Sequence, residues 1–232
     1  MTLVRFPRRA LLATPAVLAA RDAAAQEPVD VLLVLAMDAS GSIGEAEFAI
    51  QREGYAEALT SAPVIAAIRS KPRGAVAIAV IEWGSPGGSQ TTVDWRRVSD
   101  AASAQALAAA LLAAPRTTQS YNAIGDAIHH ASHLLREGPY SSDQMVIDVS
   151  GDGPDLRSLR PSPIARDIVV RRGMIVNALA ISGPGTVTRG GEPLEEHYRR
   201  DVMGGPGSFV ITAEDRRDIG RALRAKLIRE MS

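Results

Sequence analysis

The stretch Val29-Asp30-Val31-Leu32-Leu33-Val34-Leu35-Ala36-Met37-Asp38-Ala39-Ser40-Gly41-Ser42 decides the fold. From Val29 to Met37 it is apolar almost without interruption, with a single charge, Asp30, at its entrance. Such a run, with no alternation of polar and apolar residues, reads as a strand covered on both faces, the situation of a strand inside a parallel sheet. It ends on a carboxylate, two hydroxyls spaced two apart and a glycine, and Glu45 and Glu47 then supply the acids that suit the first turn of a helix. A buried strand, a polar turn and a helix together make the unit from which doubly wound α/β folds are built.

Working outward, the helix runs from Glu45 to about Leu59, with Phe48, Tyr55 and Leu59 on one face, and a short helical piece, Val64 to Ile68, follows. Lys71-Pro72-Arg73-Gly74 interrupts the chain before a second apolar run, Ala75 to Trp83. Ser85-Pro86-Gly87-Gly88 is a turn and Thr91 to Trp95 resumes an extended pattern, so this region reads as a hairpin on the sheet. Ala101 to Ala114 is helical by propensity, and Ile124, Ala127, Ile128, Ala131, Leu134 and Leu135 recur at helical spacing. Strands at Met145–Val149, Met174–Ile181 and Phe209–Ile211 alternate with helices at Ile164–Arg172 and Leu194–Val202. The last helix is expected to open with Thr212, three residues before Asp215, and to bury Ile219, Leu223 and Leu227. The expected fold is a doubly wound, mostly parallel central sheet with helices on both faces and one antiparallel edge hairpin.

The chain has 232 residues, 46% of them hydrophobic, enough for one sizeable core. Its 26 basic and 26 acidic residues balance, which argues against nucleic acid or an anionic membrane as partner. Aromatics make up 4%, too few for base-stacking platforms, and the absence of cysteine excludes thiol catalysis, iron–sulfur clusters and thiolate-bound zinc. Arg5, Arg8 and Arg9 precede an apolar run, Ala10 to Ala20, and Ala23-Ala24-Ala25 supplies the small residues of a cleavage site. Residues 1–25 therefore read as a signal peptide, too short to span a bilayer, and 26–232 as the mature domain. Export to the periplasm, by general secretion or by a twin-arginine route using Arg8-Arg9, is expected, with no stable membrane insertion once the signal is removed. The mature chain keeps 22 basic and 25 acidic residues, a net charge of −3.

In an open parallel sheet, ligands bind outside the carboxyl ends of the strands. Two ends stand out: Asp38-Ala39-Ser40-Gly41-Ser42 after the first strand, and Ser150-Gly151-Asp152-Gly153 after the strand from Met145. Carboxylate and hydroxyl oxygens from both could converge on a hard divalent cation, Mg²⁺ or Mn²⁺ before Ca²⁺, because only two carboxylates are offered. The competing explanation is that Asp38, Ser40 and Ser42 merely cap the following helix.

At these residues the chain resembles von Willebrand factor type A domains. Asp38-Ala39-Ser40-Gly41-Ser42 matches their DxSxS signature, Asp152 matches the aspartate of their third loop, and Asn122-Ala123-Ile124-Gly125-Asp126-Ala127-Ile128 is similar to their second-loop segment. The likeness is closer still to a bacterial exported family of unknown function with this fold. It is carried by Gln51-Arg52-Glu53-Gly54-Tyr55, Glu82-Trp83, Val146 to Gly153, Gly204-Gly205-Pro206-Gly207 and Lys226-Leu227-Ile228-Arg229-Glu230. The resemblance implies a metal-ion-dependent adhesion site in which Asp38, Ser40, Ser42, Asn122 and Asp152 hold the cation. Serines and a threonine bind directly in the family, the aspartates act largely through water, and a carboxylate from a protein partner completes the shell. Asn122 stands where such domains carry the threonine; it offers an amide oxygen without a hydroxyl, and Ser120, Thr117 and Thr118 are the alternative donors nearby.

The function these residues imply is an exported protein-binding module, not an enzyme. A metal-assisted hydrolase using the same ion and a structural module with an empty site are the alternatives. His129, His130 and His133 share one helix, but their offset from its apolar stripe places them on the solvent face and no HExxH pattern links them. Neither Ser40 nor Ser150 lies in GxSxG, and Gly204 to Gly207 has neither a dinucleotide nor a phosphate-loop pattern. Glu82, beside Trp83 at a strand end, is either near the metal rim or buried against an arginine.

Overall fold

The computed structural model describes residues 26–183 and 187–231, so the signal segment expected at 1–25 lies outside the described residues. In chain order these residues form β1 (Glu27–Pro28), β2 (Val31–Asp38), α1 (Glu45–Thr60), α2 (Ala62–Arg69), β3 (Val76–Trp83), β4 (Gln90–Val98), α3 (Ala101–Ala113) and α4 (Ile124–Glu137). They continue with β5 (Tyr140–Ser141), β6 (Met145–Gly151), α5 (Ser162–Val170), β7 (Met174–Ile181), α6 (Leu194–Asp201), β8 (Val210–Ala213), a 3₁₀ turn (Arg216–Asp218) and α7 (Ile219–Glu230).

Six strands make the central sheet in the order β4-β3-β2-β6-β7-β8, all parallel except the edge pair β3–β4. β1 and β5 pair separately as a small parallel ribbon. The period-2 geometry of β2 sorts its side chains: Val31, Leu33, Leu35 and Met37 enter one core with α1, α2, α3 and α7, while Leu32, Val34 and Ala36 enter the other with α4, α5 and α6. Burying each Val, Leu or Met side chain of this run contributes roughly 1.5–3 kcal/mol, and the two-sided burial leaves no exposed position for a polar residue before Asp38.

The chain leaves β2 toward β3 on one side, whereas β6 lies on the other. The gap between the carboxyl ends of β2 and β6 is therefore the topological switch point, where a ligand crevice forms in sheets of this kind. Asp38 ends β2 and Asp152 follows β6 at this gap.

The strand and helix pattern of the sequence is reproduced, with one correction at the C-terminus. Thr212 does not open the last helix. It lies in β8, where its hydroxyl donates to Glu195 Oε2 at 3.1 Å, and α7 begins at Ile219 after the 3₁₀ turn. Asp215 Oδ1 accepts the amides of Arg217 (2.8 Å) and Asp218 (3.1 Å), so the aspartate supports that turn in place of a helix cap.

Candidate metal centre

The first loop folds around Asp38, which is fully buried. Its Oδ1 accepts the Ser40 amide at 2.8 Å, a tight local turn, and Gln51 Nε2 on α1 donates to its carbonyl at 2.9 Å. The Ser40 and Ser42 hydroxyls lie 3.2 Å apart. Neither caps α1: its N-cap is Gly44, whose amide is satisfied by Glu47 Oε2 at 3.1 Å. The capping explanation for these hydroxyls therefore fails, and their oxygens are left facing one another at the mouth of the crevice.

The second loop is strapped to the β3–β4 connection. Thr117 donates its amide and its hydroxyl to Glu82 Oε2, both at 2.8 Å, and Gln119 accepts the Ser85 amide (2.8 Å) and donates to Gly88 O (2.9 Å). Ala123 donates to Gly84 O at 2.9 Å. Any side chain at Gly84 would press on Ser40 Cα and Tyr121 O, so glycine here lets the first and second loops close on each other.

The third loop reaches both of the others. The Asp152 amide donates to Asp38 Oδ2 at 3.3 Å, and Leu156 donates to Asn122 O at 2.6 Å. A side chain at Gly153 would collide with the Asn122 amide, which places that amide against the residue after Asp152. Asn122 Oδ1 is buried and has no hydrogen-bond partner among the described residues. A buried acceptor left unpaired costs about 1–3 kcal/mol, and an oxygen-ligated cation beside the third loop would satisfy it. Of the alternative donors, Thr117 is committed to Glu82, and Ser120 packs its backbone against Gly41 while its amide binds Ser85 Oγ at 3.0 Å.

A family model described as "Protein of unknown function (DUF1194)" matches residues 28–232. The chain belongs to the DUF1194 family. No curated protein matches it in sequence. Among solved structures, the DUF1194 chain is similar to proximal thread matrix protein 1 of the mussel byssus, at 13% identity and a TM-score of 0.59, covering 88% of this chain and 46% of that one. It is also similar to the pilus adhesin SpaC of Lactobacillus rhamnosus GG (16% identity, TM-score 0.57, 88% and 31% covered). A von Willebrand factor type A protein of Catenulispora acidiphila gives 15% identity and a TM-score of 0.56, with 88% and 43% covered. The chain thus spans less than half the length of these structures, and at such identities the likeness shows the von Willebrand type A fold. The mussel protein has also been solved with its MIDAS motif occupied by zinc.

Two aspartates of the DUF1194 chain that sequence reasoning did not assign hold the site's framework. Asp155 Oδ1 accepts the Ile124 amide (2.9 Å) at the start of α4, and its Oδ2 accepts the Ser162 amide (2.8 Å) at the start of α5. Asp126 Oδ2 accepts the amides of Gly87 (2.9 Å) and Leu159 (3.0 Å). Apart from Ser162, seven residues after Asp155, these partners lie more than thirty positions away, so local spacing did not announce the contacts that join the loops. Tyr198, fully buried on α6, donates to Gly153 O at 3.1 Å. Burial first, and then the negative field of Asp38, Asp152 and Asp155, raises its phenol well above the ordinary tyrosine value, so it stays a donor throughout the physiological range. On the other face of the sheet, Tyr55 donates to Ser150 Oγ at 2.6 Å.

Glu82 resolves to the buried alternative: it is fully buried and pairs with Arg52 Nη2 at 2.5 Å. A second buried ionic group also escaped the sequence reading. Lys226 Nζ lies 2.6 Å from Asp148 Oδ1 and 2.7 Å from Glu230 Oε1, and Asn177 Nδ2 donates to the same Glu230 oxygen at 2.9 Å. A signal existed. Lys226 and Glu230 continue the buried stripe of Ile219 and Leu223 at steps of three and four, and Asp148 interrupts an apolar strand. His129 and His130 lie on α4 as expected, partly shielded. Their imidazoles are held below the ordinary histidine value, by burial first, then by the Arg160 guanidinium for His129 and by the nearby His133 ring for both.

Proposed function

We propose that this DUF1194 protein is an exported, metal-ion-dependent protein-binding module. Its cation is held by Asp38, Ser40, Ser42, Asn122 and Asp152, and a partner's aspartate or glutamate completes the shell. The observation that carries this reading is the meeting of three loops at the switch point, joined by the Asp152 amide on Asp38 Oδ2 and leaving Asn122 Oδ1 buried and unpaired. The donors are all oxygens, which selects a hard ion, Mg²⁺ first and Mn²⁺ or Ca²⁺ next. Ser40, Ser42 and Asn122 would hold the ion directly, while Asp38 and Asp152 supply charge.

A bound dication facing solvent with only two carboxylates near it keeps net positive character, and that attracts a partner carboxylate. Binding to the partner is thereby coupled to metal. A non-catalytic role is supported by the state of His197, the imidazole beside the third loop. Its Nε2 accepts the Asp155 amide at 3.3 Å and its Nδ1 faces Asp201 (3.3 Å) and Glu192 (3.5 Å), so both nitrogens serve the scaffold. Export follows from the basic and apolar residues before Ala25. Among the described residues no helix is long and apolar enough to cross a membrane.

The test is a thermal titration of the mature chain with Mg²⁺, Mn²⁺ and Ca²⁺, followed by capture of periplasmic proteins with and without chelator. A melting temperature that rises with metal, and a captured protein that is lost both on chelation and in Asp152→Ala, are expected. A melting temperature indifferent to all three ions overturns the reading.

A further inference from the structure

Away from the Asp38–Asp152 crevice, α4 carries His129 and His133 one turn apart on its outer surface. Their Nε2 atoms face each other at 3.4 Å, with the rings edge to face at 4.7 Å between centroids. That separation is long for a hydrogen bond between nitrogens. It matches instead the spacing of two ligands on one ion: metal–imidazole bonds of about 2.0–2.1 Å place the nitrogens roughly 3.3–3.4 Å apart on tetrahedral Zn²⁺, and roughly 2.9 Å apart at cis positions of Cu²⁺ or Ni²⁺, which a small rotation of two exposed rings reaches.

We propose that His129 and His133 form a two-imidazole chelate for a borderline transition metal ion, Cu²⁺, Ni²⁺ or Zn²⁺. It is separate in place and in metal preference from the oxygen site at the sheet edge. Neutral imidazole suits these ions, whereas Mg²⁺ and Ca²⁺ favour carboxylate, carbonyl and water oxygens.

The surroundings of His133 supply the tautomer the chelate needs. Its Nδ1 lies 3.3 Å from Glu137 Oε1 and 3.0 Å from Arg136 Nη2. With Arg136 as donor, Nδ1 accepts and the proton sits on Nε2, between the two rings. With Glu137 as acceptor, Nδ1 carries the proton and the Nε2 lone pair is released to a metal, the carboxylate–histidine arrangement that orients metal-bound imidazoles. Metal binding thus exchanges Arg136 for Glu137 as the partner of His133. Among the described residues no group of three or more His, Cys, Asp or Glu converges on one point, so the remaining coordination positions are filled from outside. Two clefts of about 380 and 290 Å³ flank the pair. Both are lined by Arg160 and the second also by Arg136 and Arg172, so an anionic outer ligand is favoured.

The untagged chain, titrated calorimetrically with NiCl₂ and with CuCl₂, tests this. In excess MgCl₂, which fills the oxygen site, one ion per chain is expected, with Cu²⁺ bound more tightly than Ni²⁺. His129→Gln and His133→Gln should each weaken binding by roughly tenfold or more, and the double variant little further, because either change removes the chelate. His130→Gln should leave the titration unchanged, since His130 Nε2 is directed to Thr91 Oγ1 at 3.1 Å. Asp152→Ala should also leave it unchanged. Losses that add between the two singles would mean independent surface imidazoles, and loss of Ni²⁺ binding in Asp152→Ala would place the ion at the oxygen site; either result overturns the proposal. Circular dichroism of each variant in EDTA checks that the fold is intact.

Discussion

The Asp152 amide donates to Asp38 Oδ2 at 3.3 Å, although the two residues are 114 positions apart and sit on different strand ends. This contact brings the backbone of Asp152 against the Asp38 carboxylate, so the first and third loops meet at one crevice. It uses one oxygen of Asp38, while the other accepts Ser40 N, so Asp38 organises two loops at once.

The first prediction concerns Asp152→Ala. The backbone amide survives the substitution, so the contact with Asp38 and the fold should remain, while half of the carboxylate charge of the site is lost. Saturating Mg²⁺, at about a hundred times its dissociation constant, stabilises a native-only site by about 2.7 kcal/mol. For a chain of this size that is a rise of about 5–10 °C in melting temperature. Differential scanning calorimetry should show this rise in the parent chain and its loss in Asp152→Ala, with the metal-free transition close to the parent's.

Asn122 makes a sharper prediction, because its buried Oδ1 is costly without a ligand. Asn122→Leu keeps the branching and the number of side-chain heavy atoms and removes the acceptor. In EDTA it should be as stable as the parent or up to about 1–3 kcal/mol more stable. In Mg²⁺ the order should reverse, since the parent gains a ligand and the variant does not. Asn122→Thr should keep a metal response by restoring a hydroxyl donor. Urea unfolding of the three chains with and without Mg²⁺ measures each term.

The sheet was legible because a parallel strand buried on both faces is apolar along most of its length: β2 is so up to Asp38 and β3 up to Glu82, while β6 as far as Val149 and β7 keep the pattern around single polar residues, Asp148 and Asn177. Met174–Ile181 coincides with β7 at both ends. Asp38 and Asp152 were legible for a related reason: the first polar residues after such strands lie at the ligand-binding edge. Asp155 and Asp126 were not, because what they do depends on amides of other loops that only the fold brings near. Thr212 misled for the converse reason. A threonine three residues before an acid resembles a helix cap locally, but pairing of β8 with β7 claimed it first.

The Arg52–Glu82 pair should be a main anchor of the second loop. Glu82 is fully buried, Arg52 is nearly so, and the same carboxylate holds both donors of Thr117. Arg52→Met keeps much of the packing over Phe48 but strands the carboxylate in the interior, which costs about 3–5 kcal/mol. Arg52→Met with Glu82→Gln should recover a large part of that loss, because no unpaired charge remains. Chemical denaturation of the singles and the double forms a cycle, and a double variant as unstable as Arg52→Met would show that packing, not charge, sets the cost.

The Lys226, Asp148 and Glu230 group predicts a pH dependence with a definite sign. Asp148 is pushed up to about 7, by burial first; Lys226 opposes that shift and Glu230 adds to it. A carboxyl whose folded value lies above its unfolded value stabilises the native state fully only below the unfolded value, near 4. As pH rises from about 4 to about 7, the unfolded chain gives up this proton while the folded chain still holds it, so the contribution of Asp148 to stability declines across that window and levels off above it. Asp148→Asn removes the titration while keeping the size of the side chain. Unfolding free energies measured at half-unit steps from pH 4 to pH 8 should therefore show the parent losing stability relative to the variant up to about pH 7, at no more than about 1.4 kcal/mol per pH unit, and running parallel to it beyond. Curves that run parallel from pH 4 upward would mean that Lys226, 2.6 Å away, holds Asp148 ionised in the fold despite its burial.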